Sequence, residues 1–163
     1  IACGRLQYRD GDSKTYLVDS DPKQLEREMT IGHPTVFVRR ECYRKYGLFR
    51  LDFRLAMDYE WLLRAKAAGA SFVVIARCLA NMQGGGVGER RWRNSQREVA
   101  RARALHVHGA DNAFAYNAYV ARRIVMGCVR RLLDASGLGA IRRAYYRWLS
   151  PVKVTSNRDD DIR

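Results

Sequence analysis

The segment Asp58-Tyr59-Glu60-Trp61-Leu62-Leu63-Arg64 constrains the fold more than any other stretch of the chain. It sets two carboxylates in the first turn of an amphipathic helix predicted over 58–68. Trp61, Leu62, Ala65 and Ala68 follow the helical repeat, and Gly69 stops it. The β-branched and aromatic run 35–38 precedes this helix, and the Val- and Ile-rich run 71–76 follows it. Both read as strands.

The flanking sequence extends the pattern. Residues 1–8 read as a strand, 9–14 as a hairpin turn whose Asp10-Gly11 pair supplies positive φ, and 15–18 as the returning strand. Asp21-Pro22-Lys23-Gln24 has the signature of a helix start, with Asp21 as cap, proline at the first position and Gln24 placed to complete a capping box; that helix is predicted to end near Met29. Residues 40–46 form a short predicted helix ended by Gly47. Residues 48–55 form a loop anchored by Leu48, Phe49, Phe53 and Leu55, and 79–83 a further short strand before the glycine loop 84–88. From Glu89 onward strand signals vanish and helical patterns take over. Stretches 112–133 and 141–149 interleave aromatic and aliphatic residues with paired arginines, and the tail with Asp159-Asp160-Asp161 reads as disordered. The expected organisation is an α/β part over 1–88, a basic helical extension over 89–150 and a tail over 151–163. The chain opens on Ile1 within a strand-like run, which reads as a start partway through a larger protein.

Residues 32–88, from Gly32-His33-Pro34-Thr35-Val36-Phe37-Val38-Arg39-Arg40 through the Asp58 helix to the glycine loop, resemble the acceptor-side half of family 2 glycosyltransferases with the GT-A fold. These are inverting, nucleotide-sugar-dependent enzymes of bacterial surface-glycan synthesis. The fold class this implies is α/β: the C-terminal part of a Rossmann-like GT-A catalytic domain, followed by the helical extension. An acidic residue at the start of a helix that continues with leucines and an arginine is the family's pattern. The resemblance therefore implies that Asp58 is the general base, taking the proton of the acceptor hydroxyl. Bare sequence leaves a second reading open, because first-turn carboxylates also act simply as helix caps. Glu60 matches a second acidic position and, two residues on, faces elsewhere, with a supporting or structural role implied. His33 and Gln83 are the remaining pocket residues implied, His33 as a contact to donor phosphate or acceptor or as a structural histidine, and Gln83 beside a loop that borders the site. Mg²⁺ or Mn²⁺ is the implied cofactor, its D-x-D ligands expected before Ile1. Asp10-Gly11-Asp12 imitates that motif but reads as turn chemistry. Arg91-Trp92 lacks the glutamine that would complete the Q-x-x-R-W motif of processive relatives. The implied partners are a nucleotide-sugar donor and a glycan or lipid-linked acceptor.

Charge supplies the rival reading. The chain of 163 residues carries a formal net charge of +13, and hydrophobic content of 47% is that of a globular protein. Thirteen arginines lie between 88 and 151, against Glu89, Glu98, Asp111 and Asp134. Such a surface attracts polyanions, and its apolar and aromatic stripes suit an anionic membrane face, which implies a cytoplasmic protein peripheral to the inner face of the membrane. No nucleic-acid docking motif is present, although a non-enzymatic basic module for nucleic acid or membrane remains the alternative. No apolar run approaches the roughly 18–20 residues of a membrane span. Cys3, Cys42, Cys78 and Cys128 lack metal spacing and read as buried free thiols. His106 and His108 point to different helix faces and read as exposed or capping residues rather than a metal pair.

Overall fold

The computed structural model describes residues 1–10, 14–84, 86–108, 116–118, 120–121 and 124–125. Strands β1 (Ala2–Asp10), β2 (Lys14–Val18) and β3 (Val73–Gln83) form a sheet of order β2-β1-β3. β1 is antiparallel to β2, as a hairpin requires, and parallel to β3. A parallel pair needs a long crossover. Here the crossover carries α1 (Arg40–Tyr46) and α2 (Met57–Ala67), and α3 (Val87–Arg90) and α4 (Trp92–His106) follow the last strand. The chain is mixed α/β.

Ile1–His108 belong to one compact unit and Gly109–Lys153 to a second, whose described residues 116–118, 120–121 and 124–125 are helical. The rest of the expected helices over 112–133 and 141–149, the acidic tail and Gly11-Asp12 of the hairpin turn lie outside the described residues. α4, grouped by its arginines with the extension, sits in the same unit as the sheet and packs on α2.

Three local expectations are corrected. The runs 71–76 and 79–83 form one strand, β3, because shifts of register against β1 between Gly4 and Leu6 let the ladder continue through Arg77 and Cys78. The helix expected from Pro22 to Met29 is a single 3₁₀ turn, Pro22–Gln24. Asp21 caps it as expected, its Oδ1 accepting from the Lys23 N–H at 2.9 Å. The capping box fails because the Asp21 N–H that Gln24 should satisfy already donates to the Thr30 carbonyl at 2.9 Å. Finally, the run 35–38 is not a buried strand. His33–Thr35 is a 3₁₀ turn, and Phe37, 61% exposed, makes only an isolated bridge to Ala2. Pro34 lacks an N–H for a ladder, and the Thr35 hydroxyl ties the turn to β1 instead.

The core centres on α2. Tyr59, Glu60, Trp61, Leu62, Leu63 and Ala65 are all buried, a wider face than the predicted stripe, while Ala68 is exposed. Leu25, Ile31, Phe53, Cys3 and Ala102 pack with them. Each fully buried leucine contributes about 1.5–3 kcal/mol, so this one helix anchors the unit. Of the cysteines, Cys3 is buried, and burial raises its thiol pKa; Cys42 is half-buried and Cys78 exposed. The expectation of buried thiols therefore holds for Cys3 alone among the described residues.

The loop before α2 is tied to α4 by charge. Arg50 makes a bidentate pair with Asp52 at 3.1 and 3.0 Å, and Arg101 of α4 pairs with the same carboxylate while its guanidinium lies 4.7 Å over the Phe53 ring. The Arg50 hydrogen bonds hold the Asp52 carboxyl down at about 2, against an ordinary value of 3.8. The folded state therefore gains from this carboxylate above its ordinary pKa, and the gain disappears as pH falls through about 2. A carboxyl ¹³C titration is expected to give Asp52 an apparent pKa near 2 in the native chain and a higher value in Arg50→Ala, where Arg101 alone still holds the carboxylate down. Unchanged titration in that variant would show that Arg50 is not the cause.

Candidate active site

The turn carrying His33 is fixed to β1 by two hydroxyls. Gly4 donates its N–H to Thr35 Oγ1 at 3.1 Å, and Ser20 Oγ donates to the Gly4 carbonyl at 2.7 Å while accepting from the Gly32 N–H at 3.2 Å. Close approach is required here. A Cβ added to Gly32 would sit 2.9 Å from the Leu6 Cβ, and one added to Gly4 would sit 2.5 Å from Leu79. The turn is thereby held against the sheet, with His33 on the solvent side of it, half exposed.

α2 presents Asp58 from the facing element. His33 Nδ1 lies 3.4 Å from Asp58 Oδ2, with side-chain exposures of 52% and 33%. The other oxygen, Asp58 Oδ1, accepts from the Tyr59 N–H at 2.8 Å. Two of the residues singled out in the sequence thus converge at a solvent-accessible point. The separation is at the long end for a hydrogen bond, as pairs of this kind often are before a substrate is bound.

The rest of the Asp58-to-Arg64 signature faces inward and has a structural explanation. Glu60 is fully buried and grips Arg64 one turn on, at 3.0 and 3.2 Å. Arg64 in turn donates to the carbonyls of Tyr46 and Leu48, and Trp61 Nε1 donates to the intervening Gly47 carbonyl at 2.7 Å. Three consecutive carbonyls at the end of α1 are therefore satisfied by α2, and Gly47, at φ 82°, is the turn that exposes them. Glu60 is consequently inaccessible to solvent. Its other partner is His106 of α4, whose Nε2 lies 2.8 Å from Glu60 Oε1. That contact corrects the reading of His106 as exposed or capping, since its side chain is only 14% exposed.

The chain leading into α2 is held by a residue that the sequence does not single out. α2 has no cap from its own neighbours. Glu98 of α4 supplies it from forty-odd residues away, its Oε2 accepting from the N–H groups of Arg54, Leu55 and Ala56 at 3.0, 2.7 and 2.9 Å. The carboxylate satisfies donors at the helix start and lies at the positive end of the macrodipole. Asp58 shares in this work, since its Oδ1 satisfies the first-turn N–H of Tyr59. Glu98→Ala is expected to cost about 2 kcal/mol, as loss of a good cap does, measured as a lower urea midpoint at unchanged slope. A midpoint within error of the parent would show the cap to be dispensable.

Gln83 stands apart from this pair. It is exposed at the end of β3, opposite Arg9, three positions along β1 from the Leu6 that packs on Gly32. At about 3.3 Å per residue that is roughly 10 Å along the sheet. Gly84 continues the pairing, its N–H donating to the Arg9 carbonyl at 2.9 Å. The expected loop over 84–88 is shortened because Val87 and Gly88 already belong to α3.

Among the described residues, no group of three or more His, Cys, Asp or Glu side chains is arranged to hold a metal ion. Those described residues therefore offer no such cluster for the implied Mg²⁺ or Mn²⁺. Among the described residues, too, no helix is long and apolar enough to cross a membrane. The chain matches no family model, and comparison with curated proteins and with solved structures likewise finds no match.

Proposed function

We propose that this chain is the acceptor-side part of an inverting glycosyltransferase of GT-A type, and that Asp58 is its general base. The observation that carries the reading is the His33–Asp58 pair, brought to one solvent-accessible point by two elements that are each fixed from behind. In the reaction the acceptor oxygen forms a bond to the anomeric carbon of the donor. The bond from that carbon to the diphosphate oxygen breaks, and its electron pair leaves with the nucleoside diphosphate. The proton of the acceptor hydroxyl goes to Asp58. One carboxylate suffices, because the leaving diphosphate needs no protein acid.

The geometry supports each part of that role. Asp58 sits in the first turn of α2, its side chain a third exposed where a hydroxyl can reach it. Its Oδ1 is held by the Tyr59 N–H, which leaves Oδ2, on the His33 side, as the oxygen that meets a hydroxyl. His33, donating from Nδ1, would fix the rotamer of the carboxylate and give the site a second polar contact to the acceptor. On this reading the donor site and its metal ligands lie outside these 163 residues, as do the features that choose a sugar. The deciding experiment is sugar transfer by the complete enzyme carrying Asp58→Asn, with nucleotide binding measured in parallel.

A further inference from the structure

The loop between α1 and α2 carries apolar side chains that the fold leaves uncovered. Leu51 is 92% exposed and Leu48 73%, and Phe49 between them is exposed as well. One exposed leucine is ordinary, whereas large apolar side chains exposed together mark a contact surface. The segment that carries them is held on both sides. The Tyr46 and Leu48 carbonyls accept from Arg64, and the Gly47 carbonyl accepts from Trp61. The Phe49 ring lies 6.0 Å from the rings of Tyr43 and Trp61, and Asp52 is paired with Arg50 and Arg101. The leucines are therefore displayed by a fixed backbone, not by a frayed one. The neighbouring α1 adds charge of one sign. Arg39, Arg40, Arg44 and Lys45 are exposed and form no ion pair among the described residues, and Glu41 is the one acid in 39–46. Arg40 and Arg44, four positions apart, share a face of the helix.

We propose that α1 and the loop 47–51 dock on an anionic lipid bilayer, the leucines entering the interface and the cations meeting the head groups. The occupant of this surface has to answer apolar side chains and unpaired positive charge together. A bilayer with anionic lipid offers both, negative head groups over acyl chains, and a firmly held apolar loop beside arginine and lysine matches that order. A second copy of the chain fits less well. A two-fold contact sets one patch against itself, so four unpaired cations would meet their own images. Three large apolar side chains suffice for interfacial contact and are far fewer than a membrane span needs. This surface is separate from the arginine-rich stretches after residue 88, where composition put the expected membrane contact, and it does not depend on Asp58 being a base.

The test is sedimentation of the 163-residue chain with vesicles of phosphatidylcholine alone and of phosphatidylcholine mixed with phosphatidylglycerol. The mixed vesicles are expected to carry the chain down and the neutral ones to leave it in solution, with binding falling as salt rises. Leu48→Ser with Leu51→Ser is expected to weaken binding about tenfold by removing apolar transfer, and Arg40→Gln with Arg44→Gln about tenfold by removing head-group attraction. All four side chains are exposed, so the urea midpoints should not move. Arg9→Gln with Arg77→Gln removes two exposed charges from the sheet and is expected to weaken binding less than about twofold, as screening at physiological salt dictates. Equal loss in that control, or equal binding to neutral vesicles, would overturn the surface. The Leu51→Trp chain is expected to gain an emission band that moves to shorter wavelength on mixed vesicles and is quenched by brominated acyl chains. A band that does neither would overturn entry of the loop into the interface. A dimer formed without lipid and dispersed by Leu48→Ser with Leu51→Ser would assign the surface to a second copy instead.

Discussion

Asp58→Asn in the complete enzyme is expected to lower sugar transfer by about 10²- to 10⁴-fold, the range a positioned general base contributes. The substitution keeps shape and removes only the capacity to accept a proton, so the turn around Asp58 should survive. The Tyr59 N–H can still donate to the amide oxygen, and the helix start remains capped by Glu98. Nucleotide binding should therefore change by less than about twofold, with the loss appearing in kcat. An Asp58→Asn enzyme with full activity would remove the basis of the catalytic assignment. Equal loss of nucleotide binding and turnover would instead point to a collapsed site.

Glu60→Ala is expected to act on stability rather than chemistry. Glu60 is inaccessible to solvent and holds both Arg64 and His106. Removing it leaves the guanidinium without its buried counter-charge and the imidazole without its hydrogen-bond partner, and loosens the clamp on the Tyr46, Gly47 and Leu48 carbonyls. Breaking a buried pair from one side costs about 3–5 kcal/mol. For a chain of this size the melting temperature should fall by roughly 10 °C. Glu60→Gln, which keeps an acceptor at one oxygen, should lose less. A variant with unchanged melting temperature and altered acceptor kinetics would return Glu60 to the pocket.

The two carboxylates of the signature thus separate by direction, and this much was legible in the sequence. A helix start at 57–58 follows from periodicity and from Gly69, and Asp58 and Glu60, two positions apart, must face differently. The Glu60–Arg64 pair has the i, i+4 spacing of a helical ion pair, but that spacing does not reveal its burial. Other features were illegible for a common reason, since they depend on partners remote in the chain. Nothing near Glu98 marks it as the cap of another helix, and nothing near His106 announces Glu60. Residues 35–38 misled because β-branched composition reports a buried environment, not a ladder, and the Thr35 hydroxyl bonds redirect the backbone.

The reach of Glu98 across the chain has a consequence for recombination. Residue 88, where composition changes, looks like the natural seam at which to graft a foreign C-terminal segment. A swap there would exchange α4, and with it the cap of α2, the partner of Asp52 and the partner of Glu60. A swap after His108 would keep them all. Two chimaeras differing only in that seam would therefore inherit the same Asp58 but not the same hold on the chain that leads into its helix, because that hold is encoded by the segment that the arginines disguise as an appendage.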